Sequence, residues 1–254
     1  MPKLTKLPRK RVKILDVYVD STSMEALLKV IGQKLGSGHK FYIVTPNPEI
    51  ILEACKDKLL AKIINEADIS LPDGIGLKLA SPDLNIVHGR KLFLELCNLA
   101  QDKELKVFLL GGGLRPGTAG AAASKLKKVF PSLKIEHADG PKLNKNGQPD
   151  TELDSKVNND IVKKINSFNP DLVFVGFGVS KQEKWIYRNK SKLNVKGLMV
   201  VGGVFDVLAG NIEAPPAFME KLELEWLWRL FVEPKRLVRI IKAVIVFPLR
   251  LILS

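Results

Sequence analysis

Four short loops carry the residue types best suited to handling a polar, phosphorylated substrate. In Thr45-Pro46-Asn47-Pro48-Glu49, a hydroxyl and an amide stand two residues apart and can orient sugar hydroxyls or a phosphate. The same residues also suit an Asx-type turn, with Asn47 and Pro48 leading into a helix, and both readings stand at this stage. Asp73, in Leu71-Pro72-Asp73-Gly74, is a lone carboxylate followed by a glycine that lets the chain turn sharply. Such a carboxylate can take the proton from a hydroxyl attacking an anomeric carbon; it can equally serve as a helix N-cap or turn residue.

The run KVFLLGGGLRPGTAG reads as strand, glycine loop and helix, whose N–H groups and dipole can hold a diphosphate. Gly111, Gly112 and Gly113 are therefore candidate phosphate-binding residues. The run fits neither the dinucleotide fingerprint in full context nor the Gly-Lys-Ser/Thr ending of a P-loop, and a tight strand-to-helix turn would use the same glycines. In GFGVSKQEKW a helix opens after a buried strand. Gln182 there can bond sugar or nucleotide atoms and Lys181 can neutralise phosphate charge, while Ser180-x-x-Glu183 also matches a capping box.

Other chemistries lack their residues. His39, His88 and His137 are separated singletons, read as surface or hydrogen-bonded histidines, and no Cys/His cluster has zinc spacing. No Asp-x-Asp pair of the kind that clamps a divalent metal on a sugar nucleotide occurs, so metal-independent catalysis without a cofactor is the expectation. Cys55 and Cys97 fall in ILEACKDKLL and KLFLELCNLA, both read as amphipathic helices, which points to a reducing cytoplasm rather than a disulfide framework.

The elements that must position these loops follow from periodicity. VKILDVYV, FYIVT, DISL, KVFLLGG, LKIEHA, DLVFVGFG and GLMVVGG read as strands. Helical patterns lie between them, including SMEALLKVIGQKLG opened by a Thr22-x-x-Glu25 capping box, PGTAGAAASKLKKVF and DSKVNNDIVKKINSF. This alternation predicts an α/β fold: a doubly wound, mainly parallel sheet with helices on both faces. Ligands of such sheets bind beyond the carboxyl ends of the strands, where all four loops fall. The polar segment 139–150 reads as an insertion without an obvious role.

At 254 residues and 46% hydrophobic content the chain can bury a full α/β core, which argues against disorder. A formal net charge of +13 favours anionic partners: phosphates, nucleic acid or an acidic lipid surface. No recognition helix or aromatic-basic array supports specific nucleic-acid binding. The basic N-terminus lacks the apolar stretch of a secretory signal, and no segment approaches the roughly 20 apolar residues of a membrane span. Composition shifts near Gly210, dividing the chain into a core, 1–210, and a basic, amphipathic appendage, 211–254. The tail EWLWRLFVEPKRLVRIIKAVIVFPLRLILS must pack on the core, join subunits or lie in a membrane interface, and its basic residues favour an anionic membrane surface.

Taken together and in order, TPNPE, LPDGIGL, LLGGG, GFGVSKQEKW, GGVFDVLAGN and EWLWRLFVEPKRLVR resemble the WecG/TagA/CpsF family, glycosyltransferase family 26, over roughly residues 40–240. The resemblance implies a Rossmann-like enzyme that transfers a sugar with inversion from a UDP-sugar to a sugar on a polyprenyl diphosphate, in cell-wall or surface polysaccharide synthesis. The donor in several members is UDP-N-acetylmannosamine or its uronic acid. It also implies Asp73 as general base, Thr45, Asn47, Arg90 and Gln182 around the substrate, and Arg229, Arg236 and Arg239 of the appendage at the acceptor diphosphate or closing the site. The expected location is peripheral, on the cytoplasmic face of the membrane, with a homo-oligomer possible. Glu213 stands where many members carry arginine before Ala-Pro, which bears on the identity of the sugar. The rival functions are a nucleotide-sugar or lipid-binding module without catalysis and a nucleic-acid-binding protein.

Overall fold

A computed structural model describes residues 10–112, 115–216, 218, 219, 222, 224–234 and 237–253. The chain opens with strands β1 (Lys10–Ile14) and β2 (Val17–Ser21), then runs α1 (Met24–Ser37), β3 (Phe41–Val44), α2 (Pro48–Ala54), α3 (Lys58–Asn65) and β4 (Ile69–Ser70). A 3₁₀ turn (Ile75–Leu79) leads to α4 (Gly89–Asp102), β5 (Lys106–Leu110), α5 (Thr118–Val129), β6 (Lys134–Ala138) and α6 (Glu152–Phe168). The remainder is β7 (Leu172–Val175), α7 (Lys181–Asn189), β8 (Gly197–Val200) and α8 (Val204–Leu208), followed by α9 (Glu225–Val232), α10 (Leu237–Ile241), a π turn (Lys242–Val246) and α11 (Phe247–Ile252).

Six strands form one parallel sheet in the order β4-β3-β8-β7-β5-β6. Successive strand residues face opposite sides. Tyr42, Val44, Phe108, Leu110, Val173 and Val175 accordingly enter one apolar cluster with α2, α3, α6 and α7. Phe41, Ile43, Val107, Leu109, Leu172 and Phe174 enter a second cluster with α1, α4, α5 and α8. Both faces are covered, as the near-continuous apolar strands require, and the doubly wound reading holds.

Three local expectations change. VKILDVYV is not one strand but two: β1 and β2 pair antiparallel, outside the main sheet, around Leu15, which adopts φ 53°. A leucine in the left-handed region carries no turn signal in the sequence, so the hairpin is hidden there. ILEACKDKLL is likewise not one helix, because the Asp57 side chain accepts from Leu60 N and starts α3 anew three residues after α2 ends. The cap of α1 is Ser23, whose Oγ accepts from Ala26 N at 3.2 Å, rather than Thr22.

The tail is seated on the core at its far end. Phe247 is fully buried in the first cluster, and Leu251 packs beside it. Phe231, Val238, Ile245 and Leu249 remain exposed. Among the described residues no helix is long and apolar enough to cross a membrane.

Candidate active site

The carboxyl ends of β3, β4, β5, β7 and β8 open onto one cleft of about 410 Å³. Chain order reverses here: β3 and β4 lie on one side, β5 and β6 on the other, and β7 and β8 fill the middle, the topological switch at which open sheets bind ligands.

Thr45 and Asn47 follow β3 directly, and both line the cleft. Asn47 Oδ1 accepts from Ile50 N at 3.0 Å and caps α2, with Pro48 inside the first turn. The two readings of this loop are thus compatible: the oxygen holds the helix, while the residue still borders the cleft. Asp73 follows β4, where Leu71 N donates to Val44 O at 2.9 Å and Asp73 N to Pro46 O at 3.0 Å, tying its loop to that of Thr45. Asp73 is not a helix cap; that position belongs to Gly74, at φ 98°. Its carboxylate stands in the cleft, about one-third exposed.

Two neighbours define the surroundings of Asp73. His88 Nδ1 lies 3.6 Å from Asp73 Oδ1, at the start of α4, where the His88 side chain makes no capping bond. Gly89 comes next, and a Cβ there would meet Thr45 Oγ1 at 3.3 Å and Asp73 Oδ2 at 3.5 Å. The missing side chain lets the hydroxyl and the carboxylate converge on the end of α4. Of the three histidines, His39 and His137 are exposed as expected, whereas His88 is a cleft residue. Periodicity could not separate them, because the link between His88 and Asp73 crosses from one loop to another.

Three arginines line the same cleft, each matched by a glutamate. Arg90, in the first turn of α4, lies 3.6 Å from Glu225 of α9; Arg229 lies 3.1 Å from Glu233; and Arg239 Nε sits 2.7 and 2.9 Å from the two oxygens of Glu49. Two of these pairs join the appendage to core helices. Arg229 also lies over Gly203, within 3.2 Å of where a Cβ would stand. Arg236 and Gly113 lie outside the described residues.

The glycine loop is used differently from the phosphate expectation. Gly111, at φ 130°, brings its Cα so close to Gly176 that a Cβ would fall 2.4 Å from the Gly176 carbonyl oxygen, so this glycine serves the approach of two strand ends. Gly112 lines the cleft. At the start of α5, Gly117 N donates to Asp139 Oδ2 at 2.6 Å, so a protein carboxylate occupies the anion position of that helix. Lys181 does not face the cleft: its ammonium donates to Leu143 O. Together with Lys184 Nζ on Lys145 O and Arg188 Nε on Asn146 O, it staples segment 139–150 along α7, which gives that segment a structural role.

Gln182 lines the cleft and is buried, with Oε1 accepting from Gly202 N at 3.0 Å and Nε2 donating to Glu183 Oε1 at 3.0 Å. Ser180 has φ 63° and its side chain makes no cap bond, so the reciprocal capping box is not formed. Burial pushes the Glu183 carboxyl up to about 7, opposed in part by the Gln182 side chain and by the backbone N–H groups of Glu183 and Ser180. Asp206, buried in α8 and bonded through Oδ1 to Asn211 Nδ2 at 3.2 Å, is a second carboxylate on the cleft wall that the sequence reading missed. Its only signal was its place in GGVFDVLAGN. Among the described residues no group of three or more His, Cys, Asp or Glu side chains is arranged to hold a metal ion.

The Asp73 carboxylate, a hydroxyl, a fixed amide and three guanidinium groups at a sheet switch point suit group transfer involving a phosphorylated substrate. Comparison with known proteins agrees. Residues 12–254 match the profile of the glycosyl transferase WecG/TagA/CpsF family. A relative from Staphylococcus aureus strain MRSA252, named N-acetylglucosaminyldiphosphoundecaprenol N-acetyl-beta-D-mannosaminyltransferase, is 32% identical over 237 residues, covering 91% of this chain and 88% of its own. Relatives of the same name from strains NCTC 8325 / PS 47 and COL are 31% identical over the same span. With its doubly wound sheet, its cleft at the strand ends and a family match running from the first hairpin to the last residue, this chain belongs to the WecG/TagA/CpsF family of glycosyltransferases.

Proposed function

We propose that this chain transfers an N-acetylmannosamine-type sugar, with inversion, from a UDP-sugar to N-acetylglucosamine carried on a polyprenyl diphosphate. The observation that carries the reading is the convergence of Asp73, Thr45 and His88 in a cleft that Arg90, Arg229 and Arg239 also line. The names of the relatives support the choice of donor sugar and acceptor.

In the proposed step the acceptor hydroxyl oxygen forms a bond to the anomeric carbon as the bond from that carbon to the diphosphate oxygen breaks. The hydroxyl proton passes to Asp73 and UDP leaves with the bonding pair. One displacement inverts the anomeric centre, and one carboxylate suffices as base. Guanidinium groups stabilise the diphosphate charge that grows on departure, so the reaction needs no divalent metal. Thr45, Asn47 and Gln182 orient the sugars, and Gly112 lies where its backbone can approach the diphosphate.

The appendage, residues 211–254, supplies Arg229, Arg236 and Arg239, while its exposed apolar side chains rest in the interface of an anionic membrane, where the lipid carrier lies. The protein then works as a peripheral protein on the cytoplasmic face.

The test is incubation of purified protein with UDP-N-acetylmannosamine, alongside other UDP-sugars, and a short-chain polyprenyl-diphosphate N-acetylglucosamine in EDTA. Mass spectrometry identifies the disaccharide product and NMR coupling at the new anomeric centre gives its configuration. Release of UDP without a disaccharide, or transfer with retention, would overturn the reading.

A further inference from the structure

Glu183 is an expensive residue to keep. It is about 1% exposed, and among the described residues no hydrogen-bond partner meets its buried Oε2. An apolar side chain of similar volume would avoid the cost of desolvating a carboxyl group, so the group must be retained for what it does to a neighbour.

That neighbour is Gln182. An amide side chain can present either its oxygen or its nitrogen in a given direction, and the two ends are alike in shape. Here the choice is forced. The Gly202 N–H can only donate, so the Gln182 atom facing it must be Oε1, at 3.0 Å. Nε2 then points to Glu183 Oε1, also at 3.0 Å, and that oxygen accepts one of its two protons. Among the described residues the second Nε2 proton meets no acceptor, and the side chain that carries it borders the cleft. With only Gly202 in place, the amide would keep one tether and could swing about it; the second contact removes that freedom.

We propose that Glu183 is a positioning residue that, together with the Gly202 amide, locks the Gln182 carboxamide so that one N–H is offered to a substrate oxygen in the cleft. Glu183 touches no substrate itself. The proposal rests on the reading of this cleft as the sugar-transfer site. In the first turn of α7 the Glu183 carboxyl lies near the backbone N–H groups of Ser180 and Glu183 while its Oε1 accepts from the adjacent Gln182 side chain.

The experiment compares wild type with Glu183→Gln and Glu183→Leu. Glutamine keeps a carbonyl oxygen at the Oε1 position and a neutral group at Oε2, so transfer of N-acetylmannosamine to the short-chain acceptor should stay within about threefold of wild type. Leucine removes the acceptor, and kcat/KM should fall roughly tenfold to a hundredfold, the scale expected of a misplaced substrate-orienting group. The thermal midpoint of the leucine variant should be equal or higher, which a purely structural role for the carboxyl would not give. An independent readout is the side-chain NH₂ pair of Gln182 in ¹H–¹⁵N spectra, assigned by its loss in Gln182→Ala. The two protons should be dispersed in wild type and Glu183→Gln and collapse toward free-amide positions in Glu183→Leu. If the leucine variant fails to fold, Glu183→Met makes the same comparison. A leucine variant with wild-type transfer and unchanged Gln182 signals would overturn the proposal, as would a glutamine variant as impaired as the leucine one. Absence of transfer in wild type itself would count against the proposed function alone, since the NMR comparison still decides whether the lock exists.

Discussion

His88 Nδ1 lies 3.6 Å from Asp73 Oδ1, across two segments that the bond from Val87 N to Pro72 O, at 3.0 Å, holds side by side. The separation is slightly longer than a hydrogen bond, and a small rotation of either side chain would close it. In the proposed reaction an imidazole N–H in that place would orient the carboxylate so that its other oxygen meets the attacking hydroxyl. His88→Ala should therefore lower kcat roughly tenfold, the scale of a modest misplacement, while KM for the donor stays within about twofold. Steady-state kinetics with both substrates checks this; a change confined to KM would assign His88 to binding instead.

Asp73→Asn keeps the size of the side chain and removes the proton acceptor. Transfer should fall by roughly a hundredfold or more, in line with loss of a general base. UDP affinity measured by calorimetry and the thermal midpoint should remain close to wild type. Near-normal turnover would remove Asp73 from the mechanism.

Gly89→Ala places a methyl group 3.3 Å from Thr45 Oγ1 and 3.5 Å from Asp73 Oδ2. The contact is tight rather than impossible, so the fold should survive while the two groups move apart by a few tenths of an ångström. A roughly tenfold loss of kcat with little change in melting temperature is expected. Equal losses of activity and stability would point to damage in α4 instead.

Glu183 also predicts a pH dependence of stability. Its carboxyl has an ordinary value of 4.5 and is raised by burial to about 7 in the folded chain. The folded state therefore holds this proton more tightly than the unfolded one, and the stability it contributes is full below about 4.5 and lost as pH rises through about 7. Glu183→Gln cannot ionise. The difference in melting temperature, variant minus wild type, should grow between about pH 5 and 8 and level off above; scanning fluorimetry across that range checks it. A constant difference would mean that the carboxyl does not titrate in this window.

The proposed function gives the tail both attachment and catalysis, and point substitutions separate the two better than deletion, because Phe247 is part of the core. Phe247→Ala should destabilise the protein by about 3–5 kcal/mol, as large-to-small changes of buried aromatics do. Ile241→Ser with Val244→Ser alters exposed positions and should chiefly weaken binding to anionic liposomes. Arg239→Ala should chiefly impair transfer. Liposome sedimentation and short-chain acceptor kinetics distinguish the outcomes, and an apolar pair with undiminished binding would remove this face from membrane contact.

Local pattern determined much of the fold. Apolar runs such as LVFV and FYIV had to be strands buried on both faces, and the helical periodicities between them had to cover a parallel sheet. From that alone it followed that Thr45, Asn47, Asp73 and Gln182 would gather at one edge, because each sits just past a strand end. What the sequence could not carry was every relation between loops. His88 against Asp73, Glu49 against Arg239, Asp139 at the start of α5 and Lys181 turned onto segment 139–150 are contacts between residues 15 to 190 positions apart, or between a side chain and a backbone carbonyl. Periodicity reports which face a residue occupies relative to its own element, not which partner waits there. Even within one helix, the neighbours Gln182 and Glu183 take distinct roles only because β8 brings the Gly202 N–H to the first of them. Packing between strand ends decided which polar group serves the cleft, which supports its neighbour and which holds a loop.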